Sequence, residues 1–452
     1  MPVVRLDGVL RPERVALAAV LALIAGVATA APPASSDVEG GWPAWRGPSR
    51  TGSAPGGNPP IEWSETKNVR WKKAVPGLGL SSPIIWGDRL YLTTAVPTGE
   101  KVEVESAPRA GRRGGIPPDR VLSYEVHALD RATGSTVWKR TVRTEAPSGG
   151  THPDGTWASG SPVTDGEVLI AFFGSQGLYA FDLDGTELWR RDFGDMRTRL
   201  GFGEGSSPAL HGDRVFVIWD HEDDSFMVAL DKKTGQEIWR RDRDEMTAWT
   251  TPLVVEHGGR TQVITSATNR VRAYDADTGE PIWQATGMTL NAIPSPVYSE
   301  GVVYLTSGFR GSKLLAVRLD GAEGDVTGTK QVVWSVDRDT PYVPSPLLHD
   351  GVIYFTKSNN GILSAFDART GEALYANQRL GPVRNVYASP VAVGDRVYFT
   401  SRDGEFLVAK AGPTFEVLAE NELDDRFDAS PAIVGDEIYL RGRRNLYCIA
   451  AP

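Results

Sequence analysis

The chain has 452 residues and a formal net charge of −9, a balance that argues against a nucleic-acid partner and against docking on anionic membranes. Its single cysteine, Cys448, excludes an internal disulfide and any multi-cysteine metal site. With 49 glycines, 31 prolines and 13 tryptophans, the composition suits many short strands joined by turns.

Residues 1–30 read as an export signal. Arg5, Arg11 and Arg14 give a basic start, and Val15–Ala30 is an unbroken small and apolar run ending in Ala28-Thr29-Ala30, which fits cleavage close to Ala31. At 16 residues the run falls short of the roughly 20 of a comfortable span, and retention as an anchor is the alternative. No cysteine follows it that could carry a lipid, so the protein is expected in the periplasm or outside the cell, not as a lipoprotein. Nothing later in the sequence has the length and apolarity of a transmembrane helix. Residues 31–60 are rich in Pro, Gly and Ser and carry Trp42 and Trp45 in WPAWRGPSRTG. This segment is expected to dock its tryptophans on a larger body.

Asn68–Ala74 (NVRWKKA) looks like the closing strand of a repeat whose front is missing. From there a Ser-Pro or Thr-Pro pair opens a short apolar strand at Pro83, Pro162, Pro208, Pro252, Pro296, Pro346, Pro390 and Pro431, with gaps of 79, 46, 44, 44, 50, 44 and 41 residues. Proline is tolerated at the first residue of a strand and not in its middle, so each pair marks a beginning. A turn follows, mostly Gly-Asp (Gly87, Gly212, Gly394, Gly435), then a second strand such as RVFVIWD. A third strand such as LYAFD or MVALD leads into a hairpin of the form DKKTGQEIW (Asp231–Trp239). That hairpin recurs at Asp130–Trp138, Asp275–Trp283 and Asp367–Tyr375, in shortened form at Asp182–Trp189 and stretched at Asp320–Trp334. Asp and Thr cap the turn, Gly supplies positive φ, and the strand ends on a large aromatic.

Four antiparallel strands in about 44 residues is the period of a propeller blade. Eight starts predict eight blades over residues 61–452, but the chain ends with room for only three strands in the last. The orphan strand around Trp71 supplies the fourth, which closes the ring and removes the open edge. The predicted fold is therefore all-β: an eight-bladed β-propeller of four-stranded antiparallel blades, closed by the N-terminal strand. Residues 95–121 are predicted as a long surface loop in the first blade, with smaller insertions at 320–331 and around His257–Gly259. Trp71, Trp138, Trp189, Trp239, Trp283, Trp334 and Tyr375 are expected to dock each blade on its neighbour.

Strands of the type LYAFD followed by TGxxxW resemble the repeat of the pyrroloquinoline-quinone (PQQ) type propellers, a group that spans the quinoprotein alcohol dehydrogenases and the non-enzymatic BamB-like assembly factors of the outer membrane. The likeness covers roughly residues 60–452. It implies the architecture more firmly than any chemistry, since one fold hosts many functions. The dehydrogenases commonly carry a pair of adjacent cysteines against the cofactor and longer insertions around it, whereas this chain has one cysteine.

The loops before the first strand and after the second open on one face. Before the Ser-Pro pairs stand Trp157, Glu204, Trp249, Asn291, Tyr342, Tyr387 and Asp428, and after the second strands stand Asp220–Asp224, Asn269, Arg310, Lys357, Asn359, Arg402 and Arg441. Such an aromatic and polar mouth suits a small ligand or a peptide. Glu204, Asn291 and Asp428 could mimic an oxygen set for Ca²⁺ beside a quinone, or simply bond neighbouring loops. Arg310 with Arg402 could hold a carboxylate, or bridge loops. The acidic Asp220–Asp224 run reads as a solvated hairpin tip. The six histidines show no ligand spacing, and no motif for a serine nucleophile, zinc or a phosphate is present. The expectation is an exported, monomeric, non-enzymatic propeller with no cofactor. It would bind an envelope or extracellular protein, or a small ligand, at the channel mouth. A PQQ- and Ca²⁺-dependent dehydrogenase is the alternative, with a hydrolase or lyase working in the funnel behind it.

Overall fold

The computed structural model describes residues 41–102 and 114–451; the export-signal reading of residues 1–30 falls outside them. Eight sheets follow one another in chain order, apart from the strand that closes the ring, and their neighbouring strands are antiparallel except for one added edge strand. The third shows the common plan: Ala209–His211, Arg214–Trp219, Ser225–Asp231 and Glu237–Arg243, each paired with the next. Its inner strand starts beside Pro208, and Gly212 makes the first turn at φ 58°. The ring closes as the orphan strand requires. Val69–Ala74 pairs antiparallel with Asn445–Ile449, placing Trp71 opposite Cys448 and Ala74 opposite Asn445. Among the described residues no helix is long and apolar enough to cross a membrane.

The core lies between blades. Phe216, Met227 and Trp239 of the third blade, for example, share one apolar cluster with Val263 and Tyr274 of the fourth. Five docking tryptophans donate their indole N–H to a carbonyl of the next blade: Trp71 to Arg131, Trp138 to Leu183, Trp189 to Lys232, Trp239 to Ala276 and Trp334 to Ala368, at 2.8–3.0 Å. Tyr375 instead meets Phe415 edge to face at 5.9 Å. Trp283 departs from the pattern, donating to Gln262 of its own blade at 3.0 Å.

The insertion at 320–331 accounts for that departure. It folds back over the fourth blade, packs Ala322 and Val326 into the cluster around Trp283, and adds Gly324–Asp325 as a parallel fifth strand. One blade is therefore five-stranded, not four. The stretch 95–121 also differs from the predicted loop. Its flanks extend the second and third strands of the first blade to Arg89–Lys101 and Arg120–Asp130, with Ala95 opposite Tyr124 and Lys101 opposite Arg120. Threonine and valine in VPTGEKV and its return strand favour a ladder that polarity alone concealed. Residues 103–113 at its tip lie outside the described residues.

Two features organise the axis. First, the residue before each strand-opening proline forms a hydrogen-bonded hoop. The backbone N–H of Ser82 donates to the hydroxyl of Ser161, and the step repeats from Ser161 to Ser207, Ser207 to Thr251, Thr251 to Ser295, Ser295 to Ser345, Ser345 to Ser389 and Ser389 to Ser430, at 2.8–3.2 Å. The Ser-Pro marker is thus a rivet between blades as well as a strand start.

Second, the WPAWRGPSRTG segment crosses the face opposite the mouth and plugs the channel. Trp42 pairs with Ile85, Pro43 O accepts from Thr164, Thr51 O from Leu348 and Gly52 O from Ala392, so the segment touches four blades. Trp42 is fully buried and Trp45 reaches the Ser430 hydroxyl at 3.4 Å. The Arg46 guanidinium donates to the carbonyls of Pro390, Pro346 and Thr51 at 2.7–2.9 Å. Burial without a carboxylate pulls that guanidinium down to about 9.

Candidate functional site

Above the plug the axis opens into a cavity of about 250 Å³. Its floor is Trp45 with the Ser and Thr hydroxyls of the hoop, its walls carry Phe202, Glu204, Trp249, Tyr342, Tyr387 and Asp428, and its roof is the connection from the first to the second blade, including Thr151, His152, Asp154 and Thr156. Of the residues singled out in the sequence, Glu204, Trp249, Tyr342, Tyr387 and Asp428 come together here. Trp157 lines a smaller adjoining cavity of about 30 Å³, which it shares with Glu204, Gln176 and Trp249. Asn291, Arg310, Lys357 and Arg402 do not line the central cavity. Asn291 is buried at φ 55° with its Oδ1 unpartnered, Arg310 lies 5.4 Å over Phe309, and Lys357 pairs with Asp339 at 2.8 Å.

The roof is latched across the channel. Asp154 pairs with Arg402 and Arg426 of the far side at 2.8 Å and accepts from the Tyr387 hydroxyl at 3.2 Å. Arg402 stacks 3.8 Å over the Tyr387 ring and also bonds Asp428, which Arg443 holds from the other side at 3.0 Å. The Arg402 contact keeps the Asp154 carboxyl well below the usual range, with Arg426 and Tyr387 adding to it against a smaller desolvation effect. The carboxylates that Arg402 holds are therefore the protein's own, so of the two readings given for Arg310 with Arg402, a ligand clamp or a bridge between loops, Arg402 takes the second.

Glu204 is set differently. The Ser175 backbone N–H donates to it at 2.7 Å and the Ser175 hydroxyl donates as well; that hydroxyl also accepts from Met196 N–H at 2.8 Å. Burial pushes the carboxyl up to about 7, against the two Ser175 bonds. Gly174, at φ 58°, makes the room: a Cβ there would lie 1.4 Å from Glu204 Oε2. Ser175 and Gln176, whose Oε1 is buried and unpartnered, were missed in the sequence. The available signal was FGSQG, which replaces an ordinary turn after the second strand of that blade with a short 3₁₀ turn.

The set proposed for Ca²⁺ beside a quinone does not converge. Glu204 is bonded to Ser175, Asp428 lies between arginines and Asn291 stands outside the cavity. No three His, Cys, Asp or Glu side chains gather as a metal site among the described residues. The residues present therefore do not fit a calcium-held quinone. The Asp220–Asp224 run is also not simply a solvated tip, because Asp220 is fully buried in a bidentate pair with Arg243 at 2.7 and 2.9 Å.

A family model described as outer membrane protein assembly factor BamB matches residues 122–286, 174–328 and 267–451, three overlapping placements on the repeats. The BamB of Bordetella pertussis is 26% identical over 290 residues, covering 62% of this chain and 68% of its own length. Among solved structures, BamB from Moraxella catarrhalis superposes with a TM-score of 0.53 at 14% identity over 79% of this chain and 99% of that one. A quinohemoprotein alcohol dehydrogenase from Comamonas testosteroni reaches 0.60 at 11% identity over 93% and 82%. At such identities the superpositions carry the fold alone.

Proposed function

This chain belongs to the BamB family of PQQ-like repeat β-propellers, and from that premise we propose that it is an exported, non-enzymatic binding protein that docks an envelope or extracellular protein on its mouth face. The observation that carries the proposal is an apolar pair on the mouth rim. Leu200 and Ile116 are 56% and 48% exposed, and the Gly115 N–H donates to Leu200 O at 2.8 Å, so residues far apart in sequence stand together. Leu200 holds φ 53°, a left-handed conformation that a leucine adopts at a cost of about 1–2 kcal/mol. Strain spent on presenting an apolar side chain to solvent fits recognition better than stability. Glu204, Trp249, Tyr342, Tyr387 and Asp428 lie beneath that rim, and the opposite face is occupied by the plug. Family membership supports a binding role, and the basic and apolar N-terminal stretch supports export.

The test is affinity capture from an envelope fraction with the mature protein and with the Leu200→Asp, Ile116→Asp double variant. Both positions are exposed, so melting should change little, while a partner held by wild type should be lost. Equal capture by the two proteins would place the docking surface elsewhere.

A further inference from the structure

We propose that the central cavity is a binding site for a neutral saccharide of one or two rings. The proposal goes beyond docking at the rim and rests on other residues. Three properties of the wall select this class of ligand.

The first is hydrogen-bond polarity. The hydroxyls of Ser161, Ser207, Thr251, Ser389 and Ser430 line the cavity, and each already accepts a backbone N–H from the preceding blade. A hydroxyl that accepts in this way keeps its proton to give. The floor therefore offers an arc of O–H donors, which calls for a ligand with oxygen acceptors along its edge.

The second is the aromatic wall. Trp249 and Tyr342 are fixed by other contacts, the indole N–H of Trp249 donating to Gly203 O at 2.8 Å and the Tyr342 ring stacking on Phe309 at 4.9 Å. Both rings line the cavity and offer it apolar surface, which suits the C–H face of a sugar. The cavity of about 250 Å³ also holds a small ring compound rather than a chain of many units.

The third is charge. Asp154 and Asp428 are already paired with Arg402, Arg426 and Arg443, so neither carboxylate is free for a cationic ligand and each of the three guanidinium groups is already engaged. An anionic planar quinone would meet carboxylates whose cations are engaged. A polyol would meet the Glu204 carboxyl, which accepts strong hydrogen bonds when ionised and can donate when protonated.

The experiment titrates purified mature protein, with no partner present, with maltose, cellobiose and N,N′-diacetylchitobiose, reading tryptophan emission and thermal shift. Pyrroloquinoline quinone is the comparison ligand. At least one of the three sugars should saturate both signals, and Trp249→Ala should weaken its binding about tenfold or more. If Trp249→Ala fails to fold, the near-isosteric Glu204→Gln replaces it, with an expected loss of about fivefold. The proposal is overturned if none of the sugars saturates, if only the quinone does, or if the folded variant binds sugar as wild type does. Because no partner is present, such a failure leaves capture through Leu200 and Ile116 untouched.

Discussion

Gly235 shows how much one residue of the repeat must satisfy. Its φ of 66° is the left-handed turn that the hairpin needs, and a Cβ would also lie 2.6 Å from the ring of Trp189 in the preceding blade. Gly279 meets Trp239 at the same distance. Gly212 has a similar φ of 58° and nothing within 4 Å of its would-be Cβ. Gly212→Ala should therefore cost only the backbone strain, about 1 kcal/mol, and Gly235→Ala about 2–4 kcal/mol in urea melts. The φ requirement was legible in DKKTGQEIW; the clash was not, because it belongs to a neighbour 46 residues earlier in the chain. Trp239→Ala should cost about 3–5 kcal/mol, since it empties a space shared by two blades. Glu204 makes a prediction in pH. Its folded pKa of about 7 lies above the ordinary 4.5, so between those values the native state binds more protons than the unfolded chain. Stability from this group is then fully present below pH 4.5 and falls as pH rises through about 7. Glu204→Gln should match wild type near pH 4.5 and exceed it at pH 8 by up to about 3 kcal/mol. A constant difference across that range would show that the carboxyl ionises freely in the folded state.

Among the elements, the closing strand and the plug govern integrity. The strand Val69–Ala74 was legible as an orphan because the last repeat was one strand short. Deleting the chain through residue 75 removes both that strand and the plug, and should leave an exposed edge that aggregates in size-exclusion chromatography. A monomer with wild-type melting would contradict closure there. The docking of Trp42 and Trp45 was legible from two tryptophans in an otherwise soft segment, whereas the role of Arg46 was not. Its three carbonyl acceptors come from Pro346, Pro390 and Thr51, and no pattern in the sequence marks a carbonyl as available. Arg46→Met should take the side-chain donor from the Pro346 and Pro390 carbonyls, while Thr51 O keeps the Leu348 N–H, and should cost on the order of 2–3 kcal/mol. The stretch 95–121 and the fifth strand at Gly324–Asp325 were misread for a related reason: polar sequence forms a ladder when a neighbouring strand supplies the partner.

At the scale of the whole molecule, the propeller has two unlike faces. The hairpin turns and the plug occupy one, with Arg396 and Asp436 tying Asn58 and Pro59 to its surface. The other carries the latched roof, the cavity and the Leu200–Ile116 pair. Five mouth residues were legible because they break the repeat exactly where the blades otherwise agree in plan, while the Asp154 latch, which joins loops more than 200 positions apart, could not be read from spacing. This asymmetry of faces can be tested by placing a photo-crosslinking side chain at Leu200 on the mouth rim and, separately, at Asp395 on the plugged face, then irradiating intact cells. Crosslinking to a discrete envelope protein from position 200 and none from position 395 is the expected result; crosslinking from position 395 with silence at position 200 would contradict it.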